Sequence, residues 1–144
     1  LIGTLGYGLI SSEKLQLSAT THTTPNVVDV HRYLAELREQ GAECIVMEVS
    51  SHGLVQGRVD NVRFDGGMFT NLSRDHLDYH GSMESYAEAK KILLQTKGLS
   101  FAVINQDDPY AEEMKSALVS GVKLITYGID TEADLIAVRK LLGV

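Results

Sequence analysis

The sequence predicts an α/β domain: a mainly parallel sheet flanked by helices. Three observations lead there. Short apolar runs of strand length alternate with stretches whose apolar residues recur at helical spacing, the pattern of βα units. Gly, Pro, Ser and Asp punctuate the boundaries. Finally, polar residues gather just after the apolar runs, at Glu48–His52, Asn71–His80 and Asn105–Asp108. Open parallel sheets bind ligands beyond the carboxyl ends of their strands.

The elements follow in order. Leu1 to Ile10, with glycines at 3, 6 and 8, reads as a short strand or turn, and Ser11 to His22 as loop or hairpin. Thr24-Pro25 predicts a helix start, with Thr as N-cap and Pro at the first helical position. Val27, Val30, Leu34 and Leu37 then share a face, and Gly41 closes the helix. Residues 43–49 and 66–70 are strand-length runs. Ser82 is placed to cap a helix carrying Met83, Tyr86, Lys90 and Leu93/Leu94 and ending near Gly98. A strand at 101–104, a helix over 108–119 opened by Asp108-Pro109, and a strand at 122–127 complete the alternation. From Ala133 to Leu142, Leu135, Val138, Leu141 and Leu142 fall on one helical face, so pattern alone predicts a helix.

A length of 144 residues is that of one ordinary domain with its own core. Thirteen basic against nineteen acidic residues give −6, which argues against a general nucleic-acid binder. No apolar stretch reaches the roughly 20 residues of a membrane span, and no signal-peptide pattern opens the chain. The single cysteine, Cys44, lies among apolar neighbours and is expected to be buried and inert, in keeping with a reducing cytoplasm. The first residue is Leu rather than Met, so a fragment is expected.

The densest chemical cluster is Thr70-Asn71-Leu72-Ser73-Arg74-Asp75-His76-Leu77-Asp78-Tyr79-His80. Its Asp and His side chains suit a divalent metal, or equally a solvated loop whose side chains bond their own backbone. Glu48 ends an apolar run, where a carboxylate is either paired, metal-bound or reaching solvent. Ser50-Ser51-His52 offers a Ser/His pair, but there is no G-x-S-x-G elbow. Arg58 follows Gln56-Gly57 and is either an anion fork or a surface Arg. Thr23 and Thr24 are either an anion site at a helix start or simple caps. One of Lys90 and Lys91 should face inward and the other outward. No G-x-x-x-x-G-K-[ST] loop occurs in these 144 residues.

Several blocks, in this order and spacing, resemble the Mur ligases. They are Thr21-His22-Thr23-Thr24-Pro25, Met47-Glu48-Val49-Ser50-Ser51-His52-Gly53-Leu54 with Gln56 and Arg58, Thr70 through Gly81, Tyr86 to Lys90, and Asn105-Gln106-Asp107-Asp108. Within that family they are most similar to the MurE type, the tripeptide synthetases. The resemblance runs through nearly the whole chain. It implies the larger part of a central ATPase domain with a P-loop-NTPase-like fold. The family's P-loop, its uridine-nucleotide domain and its C-terminal domain are not among these residues. It also implies a strand, rather than a helix, beginning in 133–142.

The resemblance implies an ATP-dependent amide ligase of peptidoglycan synthesis, with ATP and Mg2+ as cofactors. The D-Glu carboxylate of UDP-MurNAc-L-Ala-D-Glu becomes an acyl phosphate, and the amine of a diamino acid, meso-diaminopimelate or L-lysine, displaces phosphate. Glu48 is implied as ligand of a first magnesium and His76 of a second. Lys90 matches the lysine this family carbamylates, which needs a neutral amine and hence a depressed pKa. These three form the implied catalytic and metal set. Thr23, Thr24, Ser50, Gln56 and Arg58 match positions that bind the muramoyl dipeptide. Asn71 matches a residue near the γ-phosphate and Asn105 one that meets adenine. His22 stands where some relatives have Asn and receives no role. Ser51, His52, His80 and Asp107 are read as loop-fixing. The expected partners are the two substrates and the remaining domains of the same protein, with no nucleic acid and no membrane. The fragment alone is expected to be inactive. Two other readings remain open: a cyanophycin-synthetase-like or folylpolyglutamate-synthase-like ligase, and a truncated, non-catalytic binding module.

Overall fold

A computed structural model of the chain describes residues 1–10 and 15–136. The fold separates into two compact units, Leu1–Val62 and Arg63–Val144.

The first unit opens with three short antiparallel strands, β1 (Ile2–Gly3), β2 (Gly6–Ile10) and β3 (Leu15–Ser18), in the order β1-β2-β3. The glycine-rich opening thus makes a small meander, with Gly3 facing Gly6 across the first turn and Tyr7 facing Ser18 across the second pair. Helix α1 (Val27–Glu39) follows. Its inward stripe is Val30, Tyr33 and Leu37, with Leu34 partly buried beside them. Val27, expected on that stripe, is exposed. The Tyr33 ring stacks on Tyr7 at 3.7 Å between centroids. Gly41, just past the C-cap, takes φ of 89°, a left-handed value that glycine reaches without a Cβ clash.

The helix start differs from expectation. Asn26, not Thr24, is the N-cap: its Oδ1 accepts from Asp29 N, while its Nδ2 donates to the Asp29 carboxylate. The reason is competition. The Thr24 hydroxyl is bonded to the backbone of the 48–50 segment and is not available to a helix N-terminus.

Residues 43–49 also differ. They do not form a strand: Met47 makes a single parallel bridge to Ile2, flanked by bonds from Ile2 N to Val46 O and from Glu48 N to Ile2 O. The partner strand β1 is only two residues long, so the ladder cannot extend. Burial still alternates. Ile45 and Met47 pack on the Ile2–Tyr33–Leu37 core, while Cys44, Val46 and Glu48 are exposed. Cys44 is therefore exposed, not buried as its neighbours suggested, because it lies on the outward phase of this alternation. Helix α2 (Ser51–Val55) follows, with Ser51, Gly53 and Leu54 buried.

The second unit is a parallel sheet of β4 (Gly66–Phe69), β5 (Phe101–Asn105), β6 (Lys123–Gly128) and β7 (Leu135–Ile136), in sequential order. Between β4 and β5 lie α3 (Leu77–His80) and α4 (Met83–Leu94), and between β5 and β6 lies α5 (Ala111–Ser116). Phe69, Tyr86, Ala87, Leu94, Ala102, Ile104 and Met114 lie in one core. As expected, Ser82 caps α4, accepting from Ser85 N; the helix ends at Leu94, short of Gly98. Helix α5 is shorter than the expected 108–119. Asp108 bonds Tyr110 N in a turn around Pro109, so helix begins only at Ala111. The tail resolves in favour of the strand: Leu135 and Ile136 pair with Tyr127 and Gly128. The rest of the segment for which pattern predicted a helix, from residue 137 on, lies outside the described residues. No helix among the described residues is long and apolar enough to cross a membrane.

Candidate active site

In the first unit, six of the residues singled out by sequence fall in one hydrogen-bonded region. Glu48 follows the bridge residue Met47, and its Oε2 accepts two bonds from Thr4, 2.8 Å from the backbone N–H and 2.6 Å from the hydroxyl. Gly3 lies close against this side chain: a Cβ there would sit 2.8 Å from Glu48 Cδ. The Thr4 hydroxyl also meets the Thr23 hydroxyl at 3.0 Å. Thr24 is fully buried; its hydroxyl donates to Glu48 O and accepts from Ser50 N. Ser50 caps α2 by accepting from Gly53 N. Arg58 donates through Nη1 to Thr24 O and through Nε and Nη2 to Gln56 Oε1.

Gln56 and Arg58 also line an open cavity of about 380 Å³, together with Thr21, His22, Asn26 and Val27. His22, which sequence reasoning set aside, is thus part of this lining, as is the cap residue Asn26. Thr4 was missed as well; Gly3-Thr4-Leu5-Gly6 reads as a turn, and nothing in its spacing announces a carboxylate 44 positions away. Ser51 and His52 are consecutive in α2, which sets their side chains roughly 100° apart around the helix. That is poor geometry for a nucleophile and its base.

In the second unit, the candidate residues lie at the carboxyl ends of β4 and β5. Asn71 follows β4 and is exposed. Asn105, the last residue of β5, ties the two strand ends together: Nδ2 donates to Thr70 O, and Oδ1 accepts from Asp107 N. Asp108 Oδ2 accepts from Leu72 N, joining the same two loops. By inventory one N–H and one lone pair of the Asn105 amide remain for a ligand.

His76 has left-handed φ of 55° at the start of α3, and one helical turn then places His80 beside it. The two imidazoles share a face because this short helix does form, up to the Gly81 that limits it. Tyr86 of α4 meets both: His80 stacks on its ring at 4.9 Å and His76 approaches edge-on at 5.9 Å. Lys90, one turn further along α4, sets Nζ 5.2 Å from the same ring. Burial lowers the Lys90 pKa from the ordinary lysine value, and Asp108 acts in the opposite sense. Lys91 points elsewhere, with Nζ 2.6 Å from both Glu88 and Glu113. Asp107 does fix a loop: its carboxylate accepts from the backbone N–H groups of Ile129, Asp130 and Thr131.

The donor chemistry fits magnesium, a hard cation that takes one or two carboxylates plus substrate phosphates. Glu48 offers such a carboxylate, exposed and held at one oxygen. Lys90 as an amine does not fit; as a carbamate its oxygens would. Among the described residues, no three His, Cys, Asp or Glu side chains gather into a metal cage.

The parallel α/β unit, with polar loops at its carboxyl edge, belongs to the class of open-sheet ligand-binding folds. The Mur ligase middle domain matches residues 1–142, and the chain belongs to the Mur ligase family. Among curated proteins, it is 50% identical over 131 residues to the UDP-N-acetylmuramoyl-L-alanyl-D-glutamate--2,6-diaminopimelate ligase of Chromobacterium violaceum, covering 90% of this chain and 26% of that protein. The enzyme of the same name from Coxiella burnetii is 47% identical, over 93% of this chain and 27% of its own. A solved structure of a UDP-N-acetylmuramoyl-L-alanyl-D-glutamate--2,6-diaminopimelate ligase superposes with a TM-score of 0.79 at 39% identity, covering 92% of this chain and 26% of that one. The chain thus spans about a quarter of the length of the relatives it matches.

Proposed function

We propose that this chain is part of the central domain of an ATP-dependent ligase that joins diaminopimelate to UDP-MurNAc-L-Ala-D-Glu in peptidoglycan synthesis. The observation that carries this reading is the identity of about half, across nine-tenths of the chain, to proteins named for that reaction. Those names favour diaminopimelate over L-lysine as the amine. They also speak against the cyanophycin-type and folylpolyglutamate-type readings.

The physical problem is crowded negative charge, since a substrate carboxylate must approach the γ-phosphate of ATP. Bound Mg2+ supplies charge neutralisation there. Glu48 is the proposed ligand of one ion and His76 of the other. Lys90 acts after its neutral amine has bonded the carbon of CO2 and released a proton, which replaces a cation with a carboxylate-like group; its burial favours the neutral amine that this step needs. Arg58, Gln56, Ser50 and Thr23 orient the muramoyl dipeptide. Thr24, buried and bonded on both sides, acts by holding Ser50 and Arg58 in register. Asn71 is assigned to the γ-phosphate and Asn105 to the adenine. The setting is cytoplasmic, where the nucleotide-linked substrate and ATP are both found.

The test is an assay of the complete enzyme containing this chain, with ATP, UDP-MurNAc-L-Ala-D-Glu and, in turn, meso-diaminopimelate, L-lysine and L-glutamate. Phosphate release and amide product with diaminopimelate are expected. Turnover only with another acceptor, or none with any, would reject the reading.

A further inference from the structure

We propose that Thr4 is a positioning residue for the Glu48 carboxylate, and that it sets the hydrogen-bonding sense of Thr23. The inference rests on the reading of Glu48 as a magnesium ligand. Two donors of one residue converge on a single oxygen, since Thr4 N and Oγ1 both reach Glu48 Oε2. That arrangement fixes where Oε2 lies, and with it the plane of the carboxylate. Gly3 completes the seat, because a side chain there would push the Glu48 carboxyl carbon from its place. A carboxylate only accepts, so the Thr4 hydroxyl proton goes to Glu48. In the 3.0 Å contact between the two hydroxyls, Thr23 must then be the donor. The result is a directed chain, Thr23 to Thr4 to Glu48. Thr23 therefore presents lone pairs, not a proton, to any ligand, and its partner on the ligand should be an N–H or O–H. Outer contacts of this kind govern metal affinity by about 10- to 100-fold.

The experiment uses the complete enzyme and its Thr4→Val, Thr4→Ser, Gly3→Ala and Glu48→Gln variants. Mn2+ is titrated by electron paramagnetic resonance in the presence of a non-hydrolysable ATP analogue, with thermal unfolding as a check. Thr4→Val keeps the shape and the backbone bond but loses the hydroxyl; it should weaken Mn2+ binding about 10-fold or more with unchanged unfolding. Thr4→Ser should restore it to within about threefold, and Gly3→Ala should weaken it as Thr4→Val does. If Thr4→Val binds Mn2+ like the parent while Glu48→Gln does not, the positioning role is overturned and the metal reading stands. Equal losses in Thr4→Val and Thr4→Ser would also overturn it, because the hydroxyl would not be the cause. If Glu48→Gln itself binds Mn2+ normally, the metal reading falls and this proposal falls with it.

Discussion

Arg58 engages all three guanidinium nitrogens within the first unit, Nη1 on Thr24 O and Nε and Nη2 on Gln56 Oε1, which leaves two of its five N–H donors for a ligand. A lysine cannot reproduce that planar geometry. Arg58→Lys is expected to raise KM for the muramoyl dipeptide about 10-fold with little change in kcat, as loss of binding shared by ground and transition states would. Steady-state kinetics with varied dipeptide substrate would show it. Lys90 is legible in the sequence only as one of two adjacent lysines. The structure separates them by neighbours: Lys91 bridges two glutamates, while Lys90 sits over Tyr86 with its charge disfavoured by burial. Lys90→Ala should lower kcat by about 100-fold or more, in the range of loss of a charge-stabilising group. Native mass spectrometry should find one CO2 on the parent and none on the variant; an unmodified, fully active parent would remove the carbamate from the mechanism.

Among the elements, both long helices depend on side-chain caps. Asn26→Ala and Ser82→Ala should each cost about 1 kcal/mol, read by urea unfolding. Thr24→Ala should not behave as a cap deletion. It leaves the part-buried Ser50 N without its acceptor, next to the fully buried Thr24 position, and the loss should reach about 1–3 kcal/mol. Asp107 gives the sheet end a pH dependence. Three backbone N–H groups hold its pKa below the ordinary aspartate value, the bond from Ile129 foremost. Native Asp107 thus gives up its proton more readily than in the unfolded chain. Its contribution is present above the ordinary aspartate range and is lost as pH falls through the lowered value. Thermal unfolding of Asp107→Asn should therefore depend less on pH in that acid window than the parent does.

At the scale of the whole molecule, each unit has its own core, Ile2–Tyr33–Leu37 in the first and the Phe69–Ile104–Met114 group in the second. Ile104→Ala, at a fully buried strand position, should cost about 2–5 kcal/mol by the same unfolding measurement. The 144 residues hold no glycine-rich phosphate loop with a lysine. Calorimetric titration of Mg·ATP into the isolated chain is therefore expected to show no micromolar binding. A micromolar isotherm would mean that the sheet edge holds the triphosphate without such a loop.

Sequence by itself determined the alternation of strands and helices in the second unit, the Ser82 cap and the blocks of polar residues after the apolar runs, because these are local patterns. Periodicity and capping act over a few residues and leave their mark in order of composition. Tertiary structure alone decided that Asn26 takes the cap, that Cys44 faces outward, and that Thr4 holds Glu48. Each of those outcomes is a competition for a hydrogen bond or a buried face between residues distant in the chain. Local spacing carries no information about which distant competitor wins.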